Sequence, residues 1–249
     1  MNKDEKATVS MYKSLAEEYH GLRMKKSLYN EMTEMPAMMK MLGNVKGKKI
    51  LDWGCGSGIY IKKLKSKGAN IKGFDISQKM VEIARKINPS TEIKIGSGTN
   101  IPFNEKFDIV FASLAIHYLK KLDKPFQEIA RVLKSGGVFI FSTGNPIPKA
   151  GKSMTIKGKK YKVLGIRNYF TTDKTEITYT SQEGKKVKIF NYIIKLKEII
   201  RLAQKYGFEI IDYEDTKPLP RAKKIDPKEY EFYSKVPLFS IWKLRKKYY

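Results

Sequence analysis

The spacing of apolar positions changes twice along the chain. Over residues 5–42 it is helical. Tyr12, Leu15, Ala16 and Tyr19 recur every three or four residues and share one helix face. Met32, Met35, Met38, Met39, Met41 and Leu42 form a second apolar set around Pro36. A methionine-rich stripe of this kind is either a core or docking face, or a flexible lid facing a substrate. From Lys48 onward, short apolar runs alternate with helical stretches. Strands are predicted over 49–53, 71–74, 92–95, 107–112 and 138–142. Helices are predicted over 59–67, 78–87 and 125–133, the last closed by Gly136 and Gly137. Strands and helices alternating at this spacing mean a parallel sheet covered on both faces.

After Thr143 the alternation breaks. Residues 147–190 carry eleven Lys/Arg against three Asp/Glu. Their pattern predicts two hairpins: 155–157 and 161–164 about Gly158, then 176–180 and 187–190 about Glu183-Gly184. A helix over 193–206 follows, with Gly207 as its left-handed stop. Two more strands are expected over 208–213 and 236–244, joined by a Pro-rich basic loop at 217–228. No internal repeat is visible.

Composition narrows the class. The 249 residues contain one cysteine, Cys55. That excludes a disulfide framework and a four-cysteine zinc site, and no His/Cys/carboxylate cluster has metal-ligand spacing. No metal is expected. The first eight residues are charged and lack the apolar core of a secretory signal. A stretch such as 109–120, uncharged up to the lysine that ends it, falls short of the roughly 20 residues that span a bilayer. The expectation is a soluble, cytoplasmic protein with no membrane partner. The net charge of +25 is unusual. A basic surface draws nucleic acids or other anions by long-range attraction, unless it is only a solvated, lysine-rich exterior.

The chemistry concentrates at Asp52-Trp53-Gly54-Cys55-Gly56-Ser57-Gly58, between a predicted strand and a predicted helix. Glycine lets the backbone turn sharply and approach a ligand closely. Asp75 ends the next strand, where an acid can accept hydrogen bonds from both hydroxyls of an adenosine ribose. This much fits a nicotinamide dinucleotide or S-adenosylmethionine (SAM). The glycines at alternate positions, with Ile59-Tyr60 opening the helix and no third glycine one residue later, favour SAM over a dinucleotide.

A resemblance points the same way. The run from Lys49 to Gly58 (KILDWGCGSG) resembles motif I of class I SAM-dependent methyltransferases, and Gly73 to Ser77 (GFDIS) resembles their second-strand acid motif. Ile101-Pro-Phe103 with Phe107-Asp-Ile-Val110, and Leu133-Lys-Ser-Gly-Gly137, resemble signatures of the type 11, ubiquinone-methyltransferase-like branch. Ser113 to Tyr118 (SLAIHY) is similar to a segment in a subset of small-molecule members. The resemblance covers roughly residues 12–145.

It implies an α/β fold: a Rossmann-like seven-stranded sheet with helices on both faces. Residues 1–249 would form one domain, with an N-terminal helical lid at 1–45, a SAM-binding core at 46–146 and an inserted β-rich cap at 147–190. Residues 191–249 would complete the sheet. Asp52, Gly54, Cys55, Gly56 and Gly58 would surround the methionine part of SAM, Asp75 would hold the ribose, and Ile76 would cover the adenine. Ser113 and Leu114 would face the sulfonium region, with Tyr19 or Tyr12 closing over it. Many members place an acid after the third strand to bind the adenine amine. Here the stretch is Gly96-Ser97-Gly98-Thr99, so Ser97, Gly98 and Thr99 are expected to read the base through backbone groups. Where the SLAIHY-like subset has His-Pro after the fifth strand, this chain has Asn145-Pro146.

Methyl transfer from a sulfonium is an in-line displacement in which alignment does most of the work. A base helps only when the nucleophile arrives protonated. His117, after the fourth strand on the ligand-binding edge, is the candidate for it. His20 is expected to be structural. Tyr118, Asn145 and Tyr169 are lesser candidates for orienting a substrate, and Cys55 reads as a small loop residue. The expected reaction is methylation of an O, N or C nucleophile on a small-molecule metabolite, leaving S-adenosylhomocysteine. The alternative is an RNA methyltransferase. It would use Lys159, Lys160, Tyr161, Lys162, Arg167, Tyr169, Phe170 and residues 217–249, where ten Lys/Arg face three acids. A binding protein that keeps the fold without the activity is a third reading.

Overall fold

The computed structural model describes residues 1–24, 27–149, 152–156, 159–163, 169–170, 173–180, 184 and 186–248. The strands of the first half are β1 (Lys49–Trp53), β2 (Asn70–Asp75), β3 (Ile93–Ile95), β4 (Phe107–Ala112) and β5 (Leu133–Gly144). They alternate with helices α3 (Ile59–Lys65), α4 (Gln78–Ile87) and α5 (Asp123–Val132), preceded by α1 (Lys3–Met24) and α2 (Met35–Leu42). Beyond β5 come α6 (Pro146–Lys149), β6 (Lys152–Ile156), β7 (Lys159–Val163), β8 (Lys174–Thr180) and β9 (Lys186–Tyr192). The chain then runs through α7 (Leu196–Lys205), β10 (Phe208–Asp215), α8 (Pro227–Tyr233) and β11 (Phe239–Lys246).

Seven strands form one sheet in the order β10-β11-β5-β4-β1-β2-β3. The pairs among β1 to β5 are parallel, while β11 runs antiparallel to both β5 and β10. The strand order reverses between β1 and β4, and in open α/β sheets a crevice opens at such a switch point. Both faces are covered, so successive residues of a strand enter different cores. Leu51, Val110 and Phe139 pack with Phe126 and Ile129 of α5 and Leu202 of α7. Their neighbours Ile50, Ile109 and Ile140 pack with Ile61 of α3, Val81 of α4 and Met38 of α2. The methionines of α2 are therefore core: Met35, Met38 and Met41 belong to the second cluster.

Three boundaries differ from the pattern-based reading. The N-terminal helical region is broken: α1 ends at Met24, and a π-helical turn, Asn30–Glu34, leads into α2. Residues 133–137, expected to close a helix, instead begin β5, because Leu133 pairs with Phe107 ahead of a bulge. The expected loop at 217–228 holds a 3₁₀ turn, Pro220–Lys224, and the start of α8. Asp226 caps α8 by accepting the Glu229 N–H at 2.9 Å, and Pro227 fills its first turn. The basic composition of the segment hid that signature.

Strands β6–β7 and β8–β9 form the two predicted hairpins, the second running two residues past the expected cap boundary. The turn residues Gly158 and Glu183, and with them Arg167, lie outside the described residues. The β8–β9 hairpin rests on α1. Tyr192 Oη donates to Asp4 Oδ1 at 2.7 Å, and Tyr179 Oη donates to the Glu18 carboxylate. Among the described residues, no helix is long and apolar enough to cross a membrane.

Candidate active site

An open cleft of about 910 Å³, mouth included, lies at the C-terminal ends of β1, β2 and β4 under α1. The loop after β1 builds its floor. Gly54 and Cys55 both donate backbone N–H groups to the Phe74 carbonyl, at 3.0 and 2.9 Å, which folds the loop back against β2. Gly54 has φ of 71°, and a Cβ there would stand 2.7 Å from the Ala115 Cβ. Gly56, with φ of 52°, has no atom within 4 Å of where its Cβ would be, so the space above it is open to a ligand. Asp75 fastens the loop from the end of β2: its Oδ2 accepts the Gly56 N–H and its Oδ1 the Ser77 N–H, both at 2.9 Å. Each oxygen keeps a lone pair for a further donor.

The wall after β4 is strained. Leu114 has φ of 49°, the only described residue other than glycine in that region. Its N–H donates to Ser142 Oγ at 2.9 Å. Ser142 in turn donates to Glu34 at 2.6 Å, as do Ser113 at 2.8 Å and Tyr60 at 2.7 Å. The π-helical turn thus delivers a fully buried carboxylate that ties together α3, β4 and β5 behind the cleft.

The electrostatics favour a cation. Burial, with Asp75 and Glu34 nearby, pushes the Asp52 carboxyl well above its ordinary range, and Arg23 opposes this. Asp52 Oδ2 and Trp53 Nε1 are both buried without a hydrogen-bond partner. Burial also raises Asp75 against the pull of its backbone hydrogen bonds. Burial acts against the Arg23 charge, but Tyr19, Glu34, Tyr60 and Glu31 around it hold the guanidinium protonated. Burial and the two aspartates push the Cys55 thiol up, which disfavours the thiolate that a nucleophile needs. Over the cleft, the Tyr12 and Tyr118 hydroxyls meet at 2.9 Å, and the Tyr12 ring packs edge-on against Tyr19 and Tyr118.

These groups fit SAM. Asp75 has acceptors left for the ribose. The unpartnered Asp52 oxygen suits the methionine ammonium, and Arg23 suits the carboxylate. The tyrosine faces suit a sulfonium.

Of the residues expected from sequence, the cleft wall brings together Tyr19, Asp52, Gly54, Cys55, Gly56, Asp75, Ile76, Gly98, Ser113 and Leu114. It does not include Gly58, Ser97, Thr99 or His117. Gly58 has a packing reason: a Cβ there would lie 2.6 Å from Asn88 Nδ2. The Ser97 and Thr99 hydroxyls are turned to Glu5. His117 is 7% exposed, with Nδ1 3.5 Å from Thr143 Oγ1 and its ring 4.9 Å from that of Tyr118. Asn145 donates to Asp215 Oδ1 at 2.7 Å and accepts the Ile147 N–H, so its amide is occupied in holding α6.

Sequence reasoning missed Glu5, Arg23, Glu34 and Tyr60. A signal existed for two of them. Glu5 lies seven residues before Tyr12 and Arg23 four after Tyr19, which puts both on the apolar stripe of α1.

Fold and cleft together define a SAM-binding α/β protein, and comparison with known proteins specifies which kind. A family model described as a methyltransferase domain matches residues 51–141. An uncharacterised protein of Methanocaldococcus jannaschii is 30% identical over 203 residues, covering 80% of this chain and 75% of that protein. A malonyl-[acyl-carrier protein] O-methyltransferase of Hamiltonella defensa is 31% identical over 107 residues, 43% of this chain and 42% of its own. The chain spans less than two thirds of some other curated relatives as well, 65% for an uncharacterised protein of Haemophilus influenzae that is 32% identical. A solved SAM-dependent methyltransferase of Mesorhizobium loti superposes with a TM-score of 0.68 at 26% identity, covering 85% of this chain and 97% of that one. A Listeria monocytogenes structure assigned to the same class gives 0.73 at 25% identity, covering 86% and 97%. The chain belongs to the class I SAM-dependent methyltransferases, in the type 11 branch, and SAM is the cofactor of its fold.

Proposed function

We propose that the protein methylates an O, N or C nucleophile of a small-molecule metabolite. One observation carries this choice over RNA. Although the chain has a net charge of +25, Arg23 is the sole basic residue among the described residues lining the cleft, against the acids Glu5, Asp52 and Asp75. With those acids and Arg23 engaged by SAM, the described lining left for an acceptor includes Tyr12, Tyr19, Tyr118 and Leu119 and holds no Lys or Arg to receive a phosphate, which suits a compact acceptor. The partial likeness to an enzyme named for methylating malonyl-[acyl-carrier protein] supports a non-nucleic-acid acceptor, though that acceptor is carried on a protein.

SAM supplies an activated methyl group. The protein's part is to hold both reactants in line and exclude water. Asp75 would hold the ribose, and Asp52 and Arg23 would hold the amino acid end. Leu114, fixed by its N–H bond to Ser142, would form part of the wall that shields the reactants from water. Burial raises the Tyr12 and Tyr118 phenols, so both stay protonated at neutral pH and orient the acceptor rather than take its proton. His117 contributes as a positioning residue, through the ring contact that seats Tyr118.

The test is transfer of a labelled methyl group from SAM into cell extract, separated by size, with and without RNase. Label in small, RNase-insensitive material is expected. Label in large material that RNase destroys would replace this reading with RNA methylation.

A further inference from the structure

Gly96 and Gly98 after β3, Ile76 after β2, Trp53 and Glu5 of α1 wall one part of the cleft. Glu5 is 3% exposed, and a carboxylate so buried needs partners. Its Oε1 accepts the Thr99 hydroxyl at 2.9 Å and the Ser97 hydroxyl. Its Oε2 accepts the Asn2 N–H at 2.7 Å, while Asn2 Oδ1 accepts the Glu5 N–H at 3.0 Å, a capping box that opens α1. A carboxylate offers about four acceptor positions, two on each oxygen. Three are used, and one on Oε2 remains. Burial alone would raise the Glu5 carboxyl, but the hydrogen bonds from Ser97, Asn2 and Thr99 hold it below its ordinary range. At neutral pH it accepts hydrogen bonds and donates none.

With Asp75 on the ribose, a base would lie past Ile76, where Gly96, Gly98 and Glu5 line the cleft. We propose that Glu5 accepts the hydrogen bond of the adenine exocyclic amine, so that the N-terminal helix itself reads the base. The proposal rests on the SAM reading of the cleft. Its consequence is mechanical. Positions 5, 8, 12, 19 and 23 fall on one stripe of a 3.6-residue helix, and all five line the cleft. One helix therefore contacts the adenine through Glu5, the sulfonium region through Tyr12 and Tyr19, and the carboxylate through Arg23. Docking of α1 and recognition of the base become a single event.

The test compares binding of S-adenosylhomocysteine with that of S-inosylhomocysteine, which carries a carbonyl where adenine has its amine. Titration calorimetry on the full chain measures both. The wild type is expected to prefer the adenine ligand roughly 10–100-fold, the size of one hydrogen bond to a charged acceptor. Glu5→Gln and Glu5→Asp should each bring that preference to within about threefold, the charged hydrogen bond being lost or displaced. Asn2→Ala, which removes only the cap, should leave it intact. Equal weakening of both ligands by Glu5→Gln, with the preference unchanged, would make Glu5 a helix cap and hydroxyl anchor only and overturn the proposal. Failure of the wild type to bind either ligand would overturn the cofactor reading with it.

Discussion

Asp52 should destabilise the ligand-free protein while serving the ligand. It is 1% exposed, its Oδ2 has no partner, and Asp75 and Glu34 repel its charge while only Arg23 offsets them. Asp52→Asn keeps the shape and removes the charge. The amide stays buried, so only the cost of the charge is relieved. A buried charge costs several kcal/mol and protonation of the raised carboxyl recovers part of it, so relief of about 1–3 kcal/mol is expected where the carboxyl is ionised. At about 2.1 cal/mol/K per residue, unfolding 249 residues releases an entropy near 0.5 kcal/mol/K, so Tm should rise by about 2–6 °C. The sign with pH follows from linkage. The native carboxyl lies above its unfolded value, so between the two the folded state binds more protons than the unfolded one. Stability of the ligand-free wild type therefore declines as pH rises from the ordinary carboxylate range toward the raised native value, and the variant loses that part of the slope. The same change removes a charged acceptor for the methionine ammonium, weakening S-adenosylhomocysteine by roughly 10–100-fold. Scanning calorimetry from pH 4 to pH 8, with and without S-adenosylhomocysteine, reads both effects. A lower Tm together with unchanged affinity would refute the reasoning.

Arg23→Gln should weaken S-adenosylhomocysteine by roughly 10–100-fold, because a charged hydrogen bond to the carboxylate is lost, yet leave 5′-methylthioadenosine, which lacks that group, nearly unaffected. Titration of both ligands checks this, and a parallel loss would show that Arg23 only supports the fold. His117→Gln should lower kcat by less than about tenfold and leave the pH–rate profile unaltered, because general-base loss costs about 10²–10⁴-fold. Disappearance of an acid limb, with a loss of that larger size, would restore His117 as the base.

The alternating core was legible in the sequence because a sheet covered on both faces demands apolar runs, and the runs at β1, β2 and β4 had no other use. The glycine loop was legible too, since Gly54 and Gly56 adopt positive φ that other residues rarely take, and Asp75 stands where a parallel strand must end. These are local facts, set by steric limits on the backbone and by hydrophobic period, and the sequence by itself determined them. It was less decisive where composition masked a cap, as at Asp226-Pro227, and where one methionine stripe fitted both core and lid. What only the tertiary structure decided depends on residues far apart in the chain. Glu34 becomes a buried hub because Tyr60, Ser113 and Ser142 reach it from three elements, and no spacing in the sequence encodes that convergence. The Ser97 and Thr99 hydroxyls turn to Glu5, more than ninety residues earlier, a pairing that no local spacing announces. The net charge was plain from composition, but its absence from the cleft was not, because charge adds up along a chain while a binding site depends on which side chains the fold brings together.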